Sequence, residues 1–146
     1  MSHASCQSQI HEAIAHILVN CRSMAVVGLS GNAARASYGV AQYMQAQGWR
    51  IIPINPNENH VLGEKCYASL SQAAVHEKFD LVNCFRNSAD IPVIVDEALH
   101  LQQAAGIRAI WMQQGIWHAQ AAAKAMAAGL VVVQDRCLKI EHRLQH

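Results

Sequence analysis

The sequence predicts an α/β fold in which helices cover both faces of a doubly wound parallel sheet of about five strands. Short apolar runs alternate with stretches of helical periodicity along the chain. Several runs, such as 24–27 and 130–133, are apolar at every position, which is typical of strands buried on both faces. A regular strand–helix alternation implies parallel strands joined by right-handed crossovers.

The predicted elements follow one another in a regular order. Strands are expected at 24–28, 50–56, 80–85, 107–111 and 130–133. Helices are expected at 7–19, 38–47, 69–76, 90–104 and 118–128, and the polar, basic tail 134–146 has a helix as one option. Ser37 is a candidate N-cap of the second helix, and Pro92 suits the first turn of the fourth. Gly48 and Gly129 are expected to end two helices.

The chain is expected to form one domain, residues 1–146, with an N-terminal helix within residues 1–22 packed on the remainder. A length of 146 residues is usual for one domain, and neither a linker nor a repeat divides the sequence. The hydrophobic content of 52% excludes a disordered chain. A net charge of +1 gives no electrostatic basis for bulk nucleic-acid or membrane-surface binding.

Cysteine usage predicts a cytoplasmic protein with free thiols. The five cysteines are widely spaced and form no CxxC pair: Cys6, Cys21, Cys66, Cys84 and Cys137. The N-terminal segment lacks the basic and apolar regions of a secretion signal, and no apolar run has the length of a membrane span. The nine histidines are scattered without a zinc-type spacing, so no metal site is expected.

The loop after the first strand is a candidate phosphate site. Its sequence, GLSGNAARAS, covers 28–37 and leads into a helix. Gly28 and Gly31 allow a ligand to approach the backbone, amides at a helix start favour an anion, and Arg35 adds forked donors. The alternative is an ordinary strand–helix loop with a surface arginine. Because ligands of open parallel sheets bind beyond the carboxyl ends of the strands, the phosphate interpretation is favoured.

The glycine spacing narrows the type of nucleotide. The glycines follow G-x-x-G rather than GxGxxG, and no GK[ST] of a Walker A loop follows. Asn55 and Pro56 follow the second strand, where a nicotinamide dinucleotide site usually has an acidic residue for the ribose. Both observations disfavour NAD.

Two further loops follow strands and offer polar groups. Arg86, directly after the third strand, is able to meet a phosphate, whereas Asn87 or Ser88 is able to cap the next helix. After the fourth strand, Gln113 and Gln114 offer amides to a ligand. Solvated glutamines in a turn are an equally good account of that loop.

Cysteine and tryptophan side chains are expected to be structural. Cys84 lies inside the third strand and is expected to be buried. Cys137 is expected to be structural rather than a reactive thiol, and Trp111 and Trp117 are expected to pack rather than to stack on a base. No activated nucleophile is evident in the sequence.

Six stretches resemble the small CoA-binding-domain proteins of bacteria, which are stand-alone relatives of the CoA-binding domain of the succinyl-CoA synthetase alpha subunit. The stretches are VVGLSGNAARASYGVAQYM (26–44), GWRIIPINPN (48–57), LGEKCYASL (62–70), NCFRNSADIP (83–92), IWMQQGI (110–116) and VVQDRCLKIEH (132–142). Each is weak alone, but together they run in order through nearly the whole chain after residue 23.

The resemblance implies a Rossmann-like fold and a coenzyme A or acyl-CoA ligand. It implies that the diphosphate lies near Gly28, Ser30, Gly31, Arg35 and Ser37, and the adenosine near Asn55 and Pro56. The full set of implied ligand-binding residues is Gly28, Leu29, Ser30, Gly31, Arg35, Ser37, Tyr38, Asn55, Pro56, Phe85, Arg86, Asn87, Ser88, Gln114, Gly115 and Ile116. It implies neither a catalytic residue nor a metal ligand.

The function implied by the resemblance is a binding or regulatory module without its own chemistry. The synthetase has a further domain with a phosphorylated histidine that has no counterpart in this sequence, so ligase activity is not expected. Two alternatives stay open: an NAD(P)-dependent oxidoreductase on the same fold, and an interaction subunit with a vestigial pocket. A homo-oligomer or a protein partner is compatible with each of them, whereas nucleic-acid and membrane partners are not expected.

Overall fold

The computed structural model describes the backbone of residues 3–146 and the side chains from residue 7 onward, so the Cys6 side chain and residues 1 and 2 lie outside the description. The helices are α1 (His3–Asn20), α2 (Ala36–Ala46), α3 (Leu70–His76), α4 (Ile91–Ala105), α5 (Ala119–Ala127) and α6 (Leu138–Gln145). The strands are β1 (Ser23–Val27), β2 (Arg50–Ile54), β3 (His60–Val61), β4 (Glu64–Lys65), β5 (Leu81–Cys84), β6 (Ala109–Met112) and β7 (Val131–Val133). A 3₁₀ turn, Ser88–Asp90, leads into α4.

Five of these strands form one parallel sheet in the order β2-β1-β5-β6-β7. The predicted doubly wound α/β fold is therefore confirmed. The chain first moves outward from β1 to β2 and then crosses back to β5 on the other side of β1. The strand order thus reverses between β1 and β5, and the carboxyl ends of these two strands flank the crevice in which such sheets bind ligands.

Side chains alternate between two apolar layers, one on each face of the sheet. One layer includes Ala25, Ile52, Val82 and Ile110 and packs against α3, α4 and α5. The other includes Met24, Ile51, Leu81 and Trp111 and packs against α1, α2 and α6. Ile14 and Ile17 of α1 are fully buried in the second layer, so the N-terminal helix is part of the core. This double coverage explains why the strands are apolar at successive positions.

The connection after β2 contains a small hairpin that the sequence did not indicate. β3 and β4 pair antiparallel through His60–Lys65 and Val61–Glu64. The two residues between them, Leu62 and Gly63, have φ of 54° and 76°, which suits a tight hairpin turn. Strands of two residues are too short for an alternating pattern to be visible.

Two predicted helix caps are wrong. α2 begins at Ala36 with Arg35 at the N-cap, so Ser37 lies inside the helix, and its Oγ instead accepts a hydrogen bond from the Ser30 amide at 3.0 Å. Asn87 stands at the N-cap of the 3₁₀ turn without a side-chain bond to it. Ser88 Oγ accepts from the Trp117 amide at 3.0 Å and therefore joins two loops. Each of the two serines accepts instead from a backbone amide distant along the chain, which the local sequence could not indicate.

A carboxylate fastens the strands together at their amino ends. The Asp80 carboxylate accepts from the Arg22 and Ser23 amides at 3.0 Å each, and the Asp80 amide donates to Ser23 Oγ at 3.0 Å. Nearby, Arg50 forms ion pairs with Glu64 and with Glu77, the latter at 2.9 Å. Charge at this edge of the sheet is therefore used within the fold.

Candidate functional site

The loops after β1 and β5 meet at Gly28. The Gly28 amide donates to the Ile54 carbonyl at 2.9 Å, and the Phe85 amide donates to the Val27 carbonyl at 2.9 Å. The sheet's hydrogen bonding therefore reaches the first residue of both loops. Gly28 has φ +86°, and a Cβ there would stand 3.1 Å from Arg86 Cδ. Glycine is thus favoured both by the turn and by the close approach of the arginine.

A cleft of about 330 Å³ opens on the α2 side of Gly28. It is lined by Gly28, Ser30, Arg35, Ala36, Ser37 and Phe85. Amides in the first turn of α2 lack helical acceptors and form the positive end of the helix dipole. Arg35 is exposed at the N-cap, and in the described part of the chain no carboxylate forms an ion pair with it. This arrangement can hold a phosphate.

The loop that forms this cleft is fixed by its own side chains. The Ser30 amide donates to Ser37 Oγ, and the Asn32 amide donates to Ser30 Oγ, both at 3.0 Å. The Ala34 amide donates to Asn32 Oδ1 at 2.9 Å. Ser37 is only 6% exposed, so its principal contact is with the loop. The loop is therefore ordered before any ligand arrives, which lowers the entropy cost of binding.

A glutamate that the sequence analysis missed lies against the same loop. Glu58 Oε1 accepts a hydrogen bond from the Gly31 amide at 3.3 Å, and Asn55 Nδ2 donates to the Leu29 carbonyl at 3.0 Å. Two contacts therefore join the loop after β2 to the loop after β1. Glu58 follows Asn55 and Pro56 by only a few residues, but its contact with a residue 27 positions earlier has no signature in the sequence.

A second cleft of about 330 Å³ lies on the other side of Gly28, between the end of β2 and α4. Its apolar lining comes from Val27, Ile54, Pro56, Ala68, Leu70, Val93 and Ile94, and its polar lining from Ser69, Arg86, Asp90 and Glu97. Arg86 Nε lies 3.5 Å from Asp90 Oδ2. The combination of an apolar wall with polar groups at the rim suits a planar base attached to a sugar.

Seven of the residues implied by the resemblance line these two clefts: Gly28, Ser30, Arg35, Ser37, Pro56, Phe85 and Arg86. Leu29 is fully buried and offers the site only its backbone. The amide of Gly31 and the side chain of Asn55 take part in the contacts between loops, and Tyr38 packs against the core. Asn87 is exposed, and neither it nor Ser88 lines a cleft.

The loop after β6 lies apart from both clefts. Gln113 is buried, donating to Asn83 Oδ1 at 2.9 Å and accepting from the Leu138 amide at 3.4 Å. Gln114 and Gly115 are exposed, and the Gly115 amide donates to Asp135 Oδ1 at 2.6 Å. Gln113 therefore has a structural role inside the protein. Gln114, Gly115 and Ile116 form a surface loop that is hydrogen-bonded to the loop after β7.

The cysteines at the sheet have little thiolate character. Burial raises the pKa of the Cys84 thiol, which is fully buried within β5, to about 12. Burial also raises the pKa of Cys21 to about 12, with a further contribution from the charge of Asp80. Cys137 is partly buried at the N-cap of α6 and lines neither cleft. Trp111 is fully buried, as expected, but the expected packing of Trp117 is wrong because that side chain is 60% exposed.

The described residues contain neither a metal-type cluster nor a membrane-spanning helix. No three histidine, cysteine or acidic side chains are grouped as a metal site would require. No helix there is both long enough and apolar enough to cross a membrane.

The model of the CoA-binding domain matches residues 22–143, which include both clefts and the whole sheet. The chain belongs to the CoA-binding domain family. Its relatives include the uncharacterized protein YneT from Bacillus subtilis (strain 168), which is 35% identical over 129 residues. That match covers 88% of this chain and 91% of YneT. The resemblance to small CoA-binding-domain proteins that the sequence motifs indicated is therefore confirmed.

Solved structures of similar fold extend the comparison. A hypothetical protein from Pyrococcus horikoshii OT3 is 30% identical, with a TM-score of 0.82 over 92% of this chain and 90% of that one. The apo form of a dinucleotide-forming acetyl-coenzyme A synthetase 1 from Ca. Korarchaeum cryptofilum matches with a TM-score of 0.66 and 21% identity. This match covers 81% of the present chain but only 27% of the synthetase, and at this identity it shows the shared fold alone.

Proposed function

We propose that this protein binds coenzyme A or an acyl-CoA across the two clefts that share Gly28, as a binding or regulatory module without chemistry of its own. One observation carries the proposal: the cleft beside α2, which suits a phosphate, and the cleft between β2 and α4, which suits a base, both border Gly28. One extended nucleotide is therefore able to fill both. Membership of the CoA-binding domain family supports CoA as that nucleotide.

The pyrophosphate is assigned to the cleft beside α2. There the first-turn amides of α2 and the guanidinium of Arg35 supply positive potential, while Ser30 and Ser37 hold the loop in shape. A phosphate bound here would supply the acceptors that those amides lack within the helix. We expect the loss of Arg35 to weaken ligand binding more than the loss of any other residue of this cleft.

The adenosine is assigned to the cleft between β2 and α4. Pro56, Val93 and Ile94 provide the apolar surface for the base, and Arg86 stands between this cleft and the phosphates. Val93 is 73% exposed, so its side chain is accessible to a ligand in this cleft.

A binding role is supported by the character of the groups in the clefts. The linings contain one shared glycine, three serine hydroxyls, two arginines and two carboxylates, and no thiol is among them. The Asp90 carboxylate lies beside Arg86, and Glu97 accepts from the Ser71 amide and hydroxyl at 3.2 and 2.7 Å. Asp90 is thus held beside a cation, and the hydroxyl bonded to Glu97 belongs to Ser71, which lines neither cleft.

The compartment and the oligomeric state are part of the same proposal. We place the protein in the cytoplasm, because the described cysteines, Cys21, Cys66, Cys84 and Cys137, are all free thiols. A regulatory module is compatible with a homo-oligomer, or with a partner protein that recognises its ligand-bound form. A nucleic-acid or membrane partner is not expected at a net charge of +1.

The test is a thermal-shift panel of CoA, acetyl-CoA, NAD, NADP, ATP and FAD, joined to native mass spectrometry of the gently purified protein. A ligand at a hundredfold excess over its Kd stabilises the folded state by roughly 2.7 kcal/mol, so CoA or acetyl-CoA is expected to raise the melting temperature clearly. A shift with NAD or NADP alone would support the oxidoreductase alternative. A shift with none of the six would support the vestigial pocket.

The absence of chemistry is tested by following thiol release from acetyl-CoA and succinyl-CoA. We expect no turnover above the rate without protein. Turnover that disappears in Cys137→Ser would show a cysteine-dependent enzyme and would replace the binding-module proposal. Cys84→Ser is the matched control, because the Cys84 thiol is buried in the sheet and its raised pKa keeps it protonated.

A further inference from the structure

The two outer strands of the sheet, β2 and β7, differ in how their free sides are protected. Beside β2, the Tyr67 amide donates to the Pro53 carbonyl at 3.0 Å, and the Asn55 amide donates to the Tyr67 carbonyl at 2.9 Å. Pro53 has no amide hydrogen to offer, and Arg50 at the start of β2 forms ion pairs with two glutamates. Proline, charge and a covering segment are means by which an outer strand avoids pairing with another chain. The free side of β2 is therefore closed.

The outer strand β7 has neither proline nor charge, because it consists of three valines, of which Val131 and Val132 are only partly buried. The Val131 amide donates to the Arg108 carbonyl at 3.1 Å, and Val133 pairs with Trp111 of β6. Because alternate residues of a strand form their hydrogen bonds in opposite directions, the N–H and C=O of Val132 point away from β6. Within the described residues, β6 is the one strand that pairs with β7. The backbone groups of Val132 are thus available to a further strand.

An open groove of about 390 Å³ lies along β7. Ile10 and Ala13 of α1 line it from one face of the sheet, Met126 of α5 lines it from the other face, and β7 lies between them. Met126 is 53% exposed. The polar side chains of the described lining are the amides of Gln9 and Gln134, and none of its side chains is ionisable. The groove therefore presents unpaired backbone groups between two apolar, uncharged walls.

A second copy of this chain has the surface that matches this groove. When two β7 strands pair antiparallel about a two-fold axis at Val132, each Val132 amide donates to the carbonyl of the partner's Val132. This axis is perpendicular to the sheet, so α1 of one copy comes beside α1 of the other, and α5 comes beside α5. Because the described groove lining is uncharged, the meeting of two identical surfaces brings no like charges together. A strongly charged partner would find no complementary charge there.

We propose that this protein forms a two-fold dimer through β7, in which two five-stranded sheets join into one continuous sheet. The described groove residues are fewer than the roughly 20–30 residues that each side of a standard interface contributes, so we expect a dimer that dissociates at micromolar concentrations. No residue of the groove lines either nucleotide cleft. The dimer therefore leaves both clefts open, and this inference does not depend on the proposed function.

The first test is sedimentation velocity on the full chain, over a concentration series from about 1 μM to about 1 mM that brackets the expected Kd. The wild type is expected to pass from monomer to dimer within this series. Met126→Lys places a charge in each groove, and it should weaken the dimer by at least about tenfold because the lysines would be desolvated without a partner. A cation suits the last turn of α5, so this variant should fold. Val75→Lys is the matched control: it changes a 77% exposed valine in the last turn of α3, outside the groove, and should keep the wild-type dimer.

The second test locates the contact by amide hydrogen exchange, followed by NMR at low and at high protein concentration. The Val132 amide should exchange at least about tenfold more slowly in the dimer than in the monomer, because only the dimer gives it an acceptor. The Val131 amide is bonded to Arg108 in both states, so its constant protection shows that wild type and Met126→Lys are both folded. A monomer at every concentration overturns the proposal and leaves the free side of β7 to a strand of another protein. A dimer that Met126→Lys does not weaken, or in which the Val132 amide stays unprotected, overturns it as well.

Discussion

The two edges of the sheet use the same residue types for different purposes. At the amino edge, the Asp80 carboxylate accepts hydrogen bonds from two backbone amides, and Arg50 forms ion pairs with Glu64 and Glu77. At the carboxyl edge, Arg35 has no carboxylate partner among the described residues, and Gly28 leaves two clefts open. Charge that is satisfied within the chain stabilises the fold, whereas charge left unsatisfied at an open cleft is available to a ligand. The comparison predicts that substitutions at the two edges change different quantities.

The largest expected effect is on stability, at the amino edge. Asp80→Ala leaves the Arg22 and Ser23 amides without their acceptor, and we expect the free energy of unfolding to fall by about 3 kcal/mol, from two charge-assisted hydrogen bonds that are partly exposed. Ligand affinity of the folded protein should not change. Urea denaturation measures the stability, and calorimetry with CoA measures the affinity. A large loss of affinity without a loss of stability would contradict the structural role of the amino edge.

The next effect is on binding, at the carboxyl edge. Arg35→Ala should weaken CoA binding by about 1.5–3 kcal/mol, the range for a hydrogen bond to a charged group, and should leave the stability of the free protein almost unchanged. Arg35→Lys should recover only part of the affinity, because the guanidinium fork is lost. Arg143→Ala on α6 is the control, since it removes an exposed arginine outside both clefts. Equal affinity of wild type and Arg35→Ala would reduce Arg35 to a surface arginine.

Gly28 is expected to affect both quantities because the two loops meet there. Gly28→Ala forces a side chain into φ +86° and brings a Cβ to 3.1 Å from Arg86 Cδ. We expect a loss of roughly 1–2 kcal/mol in the free energy of unfolding from the backbone conformation, together with weaker CoA binding. Gly39→Ala serves as the control: it lies in α2 with open space around a new Cβ, and it should be neutral or stabilising. Thermal melts with and without CoA separate the two effects.

The smallest effect is expected for the ion pairs at the amino edge. Arg50 is 45% exposed where it meets Glu64 and Glu77, so Arg50→Ala should lower the free energy of unfolding by less than about 1 kcal/mol. The difference from wild type should shrink further in high salt. If Arg50→Ala costs as much stability as Asp80→Ala, the Arg50 ion pairs and the Asp80 hydrogen bonds act as one network. The double variant would then lose less than the sum of the two single variants.

Much of the fold could be predicted from the sequence, because a buried strand requires a run of apolar residues that is visible locally. The five strands were readable as largely apolar runs, because most of their residues are buried between the two helical layers, and the glycine-rich loop was readable because it follows the first of them. The hairpin of β3 and β4 was not readable, because two-residue strands hold no pattern. The helical tail became clear only in the structure, where Leu138 is fully buried against the core.

The loops that border the two clefts were predictable from the sequence, but the contacts within those loops were not. Arg35 and Arg86 were identified because they follow strands, and both line the clefts. Ser37 was misread as a cap, because its partner is the Ser30 amide seven residues earlier, and Gln113 was read as a rim residue although Asn83 and Leu138 hold it inside. Glu58 was missed altogether. Such contacts depend on how loops approach in space, which no local pattern specifies.

The hydrogen bond between Ser88 Oγ and the Trp117 amide has an optical consequence. The chain has three tryptophans; Trp49 and Trp111 are buried, whereas Trp117 is 60% exposed on the loop that this bond ties to the end of β5. Its emission should therefore dominate the red side of the fluorescence spectrum and the response to a soluble quencher. A ligand that orders the Phe85–Ser88 loop should alter that signal, while the two buried indoles provide a constant background. We therefore expect Trp117 fluorescence to follow a titration with CoA without an attached dye, and an unchanged spectrum at saturating CoA would contradict this expectation.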